Sequence, residues 1–305
     1  MQFRLFIVAL CFLSASLKAQ PVFDVFQFQY QYSNPTTLLN KPEGQDAVLN
    51  FFQSQSNLPV KISPRDVLVL NPSYERRRIN TGSNNLLSPH GPTYKELDVQ
   101  SLSFTVSNQH TFSDTTAQLL AAAAIRHYAD IRLSPAENTL TPAFALLYSK
   151  RTSQRFAWKL GAYYSKEFFG NLWLPLVGFD WKISDRLWCW GILPRYAVMD
   201  YTITPYWHSC INYKGVTDSY RLPEEDWFSI VEGQLRWSND FYIPRTGLMM
   251  TVDVGHSIAR KFTAYEATRF SKDKAEEIDG FILRAAIVWR VVLNKSFSTP
   301  ASTVQ

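Results

Sequence analysis

The sequence predicts an all-β chain: one closed antiparallel transmembrane β-barrel of about 12 strands (range roughly 10–14) in meander order. Three observations lead there. Runs of about ten residues alternate apolar and polar side chains, and a β-strand repeats every two residues, so each run has one apolar face. Beyond the N-terminus nothing approaches the roughly 18 uncharged apolar residues of a membrane-spanning helix. Aromatic residues make up 15% of the chain, with Trp at 9 positions, and they gather near the ends of the alternating runs.

The N-terminus reads Met1-Gln2-Phe3-Arg4, then an apolar run from Leu5 to Leu17, then Lys18-Ala19-Gln20. A basic start, a short apolar centre and a small residue at the end predict a cleaved secretory signal over residues 1–19. A membrane anchor needs about 20 apolar residues, and Cys11 follows Leu10 rather than the small residue a lipid-modified cysteine requires. Losing Arg4 and Lys18 takes the formal charge of +5 down by two, to +3. That mild excess speaks against a nucleic-acid partner. Only Cys189 and Cys210 then remain, too few for a disulfide scaffold. Two free thiols are expected, with one bridge between neighbouring strands as the alternative. Residues 20–305 read as a single barrel domain, with no linker or fixed-period repeat.

The clearest stretch is central. Pro175, Val177, Phe179, Trp181 and Ile183 alternate with Leu176, Gly178, Asp180 and Lys182. Short breaks at Ser184-Asp185, Pro194-Arg195 and Thr204-Pro205 separate it from runs over Arg186–Leu193, Ala197–Ile203 and Tyr206 to about Tyr220. Strands joined by consecutive tight turns make an antiparallel meander.

Taken in order, Phe26, Phe28, Tyr30 and Tyr32 oppose Gln27, Gln29 and Gln31 in a first strand. Ala47, Leu49 and Phe51 open a second, with an irregularity at Ser56-Asn57. Val67–Tyr74 follows, Pro72 hinting at an edge or bulge. Arg76-Arg77-Arg78 through Pro92 is polar, and it reads as a long outward loop with solvated arginines. Leu102, Phe104 and Val106 mark the next strand. Gln118–Leu133 contains four consecutive alanines, which favour helix locally; a strand with a small-residue patch is the reading preferred here. Runs around Phe144–Tyr148 and Phe156–Tyr164 precede the central meander, and Trp227–Trp237, Leu248–Val254 and Phe281–Leu293 follow it. Glu266–Asp279 is charged and reads as a second long loop.

A soluble β-sandwich would alternate too. Apolar faces about ten residues long fit a tilted crossing of the hydrocarbon layer, and Trp and Tyr near strand ends fit the lipid–water boundary. The run Leu174-Pro175, Gly178-Phe179-Asp180-Trp181, Leu193-Pro194, Tyr201, Tyr213 and Tyr220-Arg221-Leu222 resembles an uncharacterised family of porin-like outer-membrane barrels from Gram-negative bacteria. The resemblance, clearest over Ala143–Leu222, implies an outer-membrane barrel of unknown substrate and no particular functional residue.

On the polar faces, expected to line the lumen, stand Gln27, Gln29 and Gln31. Six cations, Lys159, Lys182, Lys214, Arg236, Arg284 and Arg290, stand there with five carboxylates, Glu167, Asp180, Asp200, Glu232 and Asp253. The near balance fits either cross-strand pairs filling a narrow interior or a constricted polar channel. The expected lipid-interface aromatics are Trp158, Tyr164, Trp181, Trp188, Trp207, Trp227, Trp237 and Trp289. A membrane-embedded lipid hydrolase would need Ser, His and a carboxylate within reach. His256, and His208 beside Ser209, are weak candidates, and no catalytic, metal or cofactor residue is assigned. The expected function is passive passage of small solutes; the alternative is a filled barrel with a structural or surface role. Expected partners are outer-membrane lipid, the barrel-insertion machinery and small solutes.

Overall fold

The computed structural model describes residues 22–34, 48–80, 96–135, 139–223, 226–265, 276–277 and 280–292. The predicted signal segment and most of both predicted long loops lie outside these residues. Sixteen β-elements form one sheet closed on itself. They are β1 (Val22–Asn34), β2 (Val48–Ser56), β3 (Leu58–Lys61), β4 (Asp66–Asn80), β5 (Glu96–Thr111), β6 (Ala117–Asp130), β7 (Leu140–Arg151) and β8 (Phe156–Glu167). The rest are β9 (Gly170–Lys182), β10 (Leu187–Leu193), β11 (Tyr196–Thr204), β12 (Trp207–Arg221), β13 (Trp227–Tyr242), β14 (Leu248–Tyr265), β15 (Glu276–Glu277) and β16 (Gly280–Val292). β3 continues β2 beyond Asn57, and β15 is a two-residue piece beside β14. The wall therefore has 14 strands, each antiparallel to its neighbours, with β16 closing on β1. The predicted number of about 12 is too low. The alanine-rich run and the weakly alternating Trp227–Tyr242 are both full strands.

Closure gives every strand of the wall a neighbour on both sides, the condition for β-structure in lipid. Outward side chains form an apolar belt: Phe28, Tyr30, Phe104, Phe144, Leu146, Leu160, Val177, Val252 and Ile287 are all exposed. The irregularity at Asn57 lies opposite Pro72, between the Gln55–Ser73 and Leu58–Leu70 pairings. The missing proline N–H thus falls where the ladder is already broken. Asn71 Nδ2 bridges that break, donating to Ser56 O at 2.9 Å and Asn57 Oδ1 at 2.7 Å.

The connections sort by end. Beside the N-terminal edge of β1 lie only short turns, around Ser63, Asp114, Ser153, Ser184, Pro205 and Arg245. Three of them share the pattern Ser-x-Arg, at Ser63, Ser153 and Ser184. In each, the serine Oγ accepts the amide of the arginine two residues on, at 3.1–3.2 Å. The arginine carbonyl then accepts an amide of the next strand at 2.8 Å, from Thr111, Lys182 and Thr202 in turn. The opposite end carries the connections at 35–47, 81–95 and 266–279. It also carries the connections at 131–139 and 222–226 and two tight ones, Phe168-Phe169, where Gly170 takes φ +125°, and Pro194-Arg195. The short breaks of the central meander thus alternate ends, as a meander must.

Arg76-Arg77-Arg78 is not loop. It lies in β4, paired through Arg77↔Val99 and its neighbours. Arg77 points inward onto Asp218, while Arg76 and Arg78 face outward onto Asp98.

Candidate functional site

The inside of the barrel is filled in two different ways. Near the long-loop end inward side chains form an apolar cluster: Leu49, Phe51, Ile79, Leu97, Val99, Tyr128, Tyr220, Leu222, Phe228, Ile230 and Phe262. Burying such side chains contributes about 1.5–3 kcal/mol each, so this is a core in its own right. Strand lengths produce it. β10 and β11 span 7 and 9 residues, whereas β12, β13 and β14 span 15, 16 and 18. β12 outruns β11 after Gly215, and its end crosses to β6, where Arg221 pairs with Ala129. Tyr128 and Tyr220 stack at that junction with ring centroids 5.5 Å apart. Beneath it the Phe168 amide donates to Ser219 Oγ at 3.0 Å.

Away from that cluster the interior is charged and paired. Gln27, Gln29 and Gln31 are buried on the inner face of β1, and Gln29 binds Gln53 on β2. Gln53 Nε2 reaches Glu75 Oε1 at 2.7 Å. Lys159 Nζ meets Asp180 Oδ1 at 2.9 Å. Arg126 meets Glu167 at 2.9 Å, and Ser219 Oγ donates to the other Glu167 oxygen at 2.6 Å. Arg77 meets Asp218 at 2.7 Å and Arg260 meets Glu232 at 2.6 Å. Arg284 bridges Asp253 and Gln29, and Arg290 grips Asp24 while donating to the Tyr242 hydroxyl.

A cavity of about 170 Å³ lies among these groups on the short-turn side of the apolar cluster. Asp24, Asp200, Asp240, Tyr242 and Arg290 border it towards the chain termini, and Lys214, Arg236 and Arg284 line it further in. His208 Nδ1 lies 3.0 Å from Asp200, and Cys210 Sγ lies 3.3 Å from the same carboxylate. Both cysteines are free, and they face opposite ways: Cys189 sits opposite Trp181 on the outer face, Cys210 opposite Asp200 on the inner one.

Of the residues expected to face the lumen, Lys159, Glu167, Asp180, Glu232, Arg236 and Asp253 are buried inside the barrel. Asp200, Lys214, Arg284 and Arg290 line the cavity. Lys182 differs: at the end of β9 it leaves the interior and pairs with Asp185 in the short turn at 2.8 Å. That hydrogen bond holds the Asp185 carboxyl below its ordinary range. In the turn at Asp114 the Lys150 ammonium does the same. Trp158, Trp181, Trp207, Trp237 and Trp289 are exposed on the outside, and Tyr164 and Trp227 share that face half-buried. Trp188 is on the other side. It pairs opposite Lys182 and Asp200 and lies 5.1 Å from Trp190, which lines the cavity. The expectation that Trp188 faces lipid is thus corrected: alternation in β10 is weak, since both parities carry large apolar residues.

Sequence reasoning did not single out Asp24, Glu75, Arg77, Arg126, Asp218, Asp240 and Arg260 as interior groups. Parity carries a signal for Arg77, which continues the alternation of β4. Arg126 follows the alanine run on the parity opposite Ile125.

His208 and Ser209 do not meet as base and nucleophile. His208 points inward while Ser209 points outward to Trp237 Nε1, at 2.8 Å. Ser63 and His110 both bind the Asp66 carboxylate, at 2.6 and 2.8 Å. Acyl transfer requires the hydroxyl to donate to the imidazole, and Ser63 donates to the carboxylate instead.

Among solved structures the chain is similar to an outer-membrane channel from Pseudomonas putida F1, at 12% identity and a TM-score of 0.47. That alignment covers 90% of this chain and 98% of the channel. It is also similar to the translocator domain of the autotransporter NalP from Neisseria meningitidis, at 10% identity and TM-score 0.38, covering 95% and 94%. A mutant of the TodX monoaromatic hydrocarbon channel aligns at 7% identity and TM-score 0.40, covering 89% and 91%. No protein-family model and no curated protein matches the chain.

Proposed function

We propose that the chain is an outer-membrane channel of porin type for small polar solutes, held narrow by its interior charges and gated at the long-loop end by the apolar cluster. One observation carries this reading: a polar cavity lies inside a closed barrel whose outside is an apolar belt. An apolar exterior around a paired, charged interior is the inverse of a soluble barrel, and it matches the demands of lipid outside and water inside. The signal predicted over residues 1–19 supports export, and outer-membrane lipid and the insertion machinery are the partners this location implies. The reading is non-enzymatic.

The second reading is a barrel closed for good, with a structural or surface-interaction role. The same apolar cluster favours it, because its members are packed as a core. Planar-bilayer recordings of the detergent-purified protein separate the two. The channel reading expects discrete conductance steps; a permanently filled barrel gives none in the wild type or after truncation of the cluster.

A further inference from the structure

Lys214 stands apart from the other interior charges. Arg77, Arg126, Lys159, Arg260, Arg284 and Arg290 each have a carboxylate within ion-pair distance. Arg236 lies 3.7 Å from Asp253 and donates to Asn212 at 2.9 Å. Among the described residues Lys214 has no such partner, though it lies on the inner parity of β12 and lines the cavity. Its cavity neighbours Arg236 and Arg284 share one carboxylate, Asp253, which is fully buried.

Three cations, Lys214, Arg236 and Arg284, meet around Asp253 at the inner end of the cavity, and the further carboxylates nearest to them are already engaged, Glu75 by Arg77 and Gln53 and Glu232 by Arg260. A cation out of bulk water without a counter-ion is costly, and a protein normally pairs it or presents it to a charged ligand. The acidic groups of the cavity, Asp24, Asp200 and Asp240, are gathered towards the chain termini. Asp24 is held by Arg290, Asp240 accepts from Thr251 Oγ1 at 2.7 Å and Asp200 lies against His208, and none of the three is ion-paired with Lys214.

We propose that the inner end of this cavity binds a small oxyanion, the carboxylate or phosphate group of a solute, through Lys214 with Arg236 and Arg284. Arginine offers the planar fork that fits such groups and lysine a mobile point charge. The proposal deepens the channel reading by naming the class of solute, and it rests on that reading only for transport. Binding itself stands on the geometry.

Titration calorimetry on the detergent-purified full chain tests it, with inorganic phosphate and succinate as separate probes. At least one probe should bind to the wild type at low ionic strength and weaken as chloride is added, because screening acts on the cation cluster. Lys214→Gln should lower that affinity at least tenfold and Lys214→Arg should retain it. Among the described residues Lys214 is in no ion pair, and Glu75, the carboxylate that feels its charge, keeps Arg77 and Gln53, so these changes should not disturb the fold. Comparing the probes tells phosphate from carboxylate recognition. Absence of binding by both probes overturns the proposal, and so does binding indifferent to chloride or to Lys214→Gln. The chloride arm decides the matter even where a variant fails to fold. A protein that binds but does not conduct sinks the channel reading alone, and one that conducts but does not bind sinks the oxyanion site alone.

Discussion

Arg260 donates to a single oxygen of Glu232 through both Nε, at 3.0 Å, and Nη2, at 2.6 Å. Both side chains are at most 1% exposed inside the barrel, beside Ile230 and Phe262 of the apolar cluster. Arg260 also donates to Ser33 Oγ on β1 at 2.8 Å, so one guanidinium ties β14 to β13 and to the first strand. A pair this deep is weak evidence of net stabilisation, but removing one partner strands the other.

Glu232→Gln should therefore destabilise the barrel by about 3–5 kcal/mol, measured by urea titration in lipid vesicles. Replacing both partners with apolar residues, Arg260→Met with Glu232→Leu, should recover most of that loss. A single variant as stable as the wild type would mean the pair is hydrated in solution.

The two faces of β16 give the next test. Ile287 is 50% exposed on the outside, and Arg284 points inward onto Asp253. Ile287→Arg should cost on the order of 2–4 kcal/mol of folding into bilayers, the penalty for arginine near the midplane of a barrel exterior. From the sequence, Arg284→Ile is expected to cost much less. The structure reverses that expectation, because the change leaves Asp253 buried with only the more distant Arg236. Arg284→Ile should cost about 3–5 kcal/mol, and adding Asp253→Leu should relieve it. Refolding titrations of the three variants check the order.

What the sequence made legible was the outer face. Alternation in Phe26–Tyr32, Phe156–Tyr164 and Phe281–Trp289 told which residues face outward, since a one-residue slip would reverse every side chain. The inner face was less legible where it is itself apolar. In β5 Leu97 and Val99 point in, whereas Leu102 and Phe104 point out. The apolar parity switches within one strand as the lining changes from cluster to charges. Alternation also says nothing of cross-lumen partners. Arg77 and Asp218 are 141 residues apart and meet only because β4 and β12 face the same narrow space.

The ends of the barrel are also testable. Protease added to intact cells should cut within 81–95 and 266–279, which connect strands at the same end. Long connections collect on the extracellular side. The Ser-x-Arg turns at Ser63, Ser153 and Ser184 should be spared. Cleavage at those turns with the long connections intact would mean the opposite orientation.

A closed barrel has no edge from which to unzip. The protein in detergent should run as a compact band on unheated gels and shift on boiling, with a β-type circular dichroism spectrum. A monodisperse protein in plain buffer would contradict a membrane barrel.

The most direct measurement of the gate is conductance after its core is hollowed. Phe228 and Ile230 are at most 1% exposed within the apolar cluster, and Phe228 packs on Phe262 with ring centroids 5.5 Å apart. Phe228→Ala with Ile230→Ala should cost several kcal/mol of packing, on the order of 2–5 for each change. It should also open the long-loop end to water. In planar bilayers the double variant should show conductance steps several-fold larger than those of the wild type. Steps of unchanged size, from a variant confirmed as folded by its unheated gel band, would contradict a gate at that cluster.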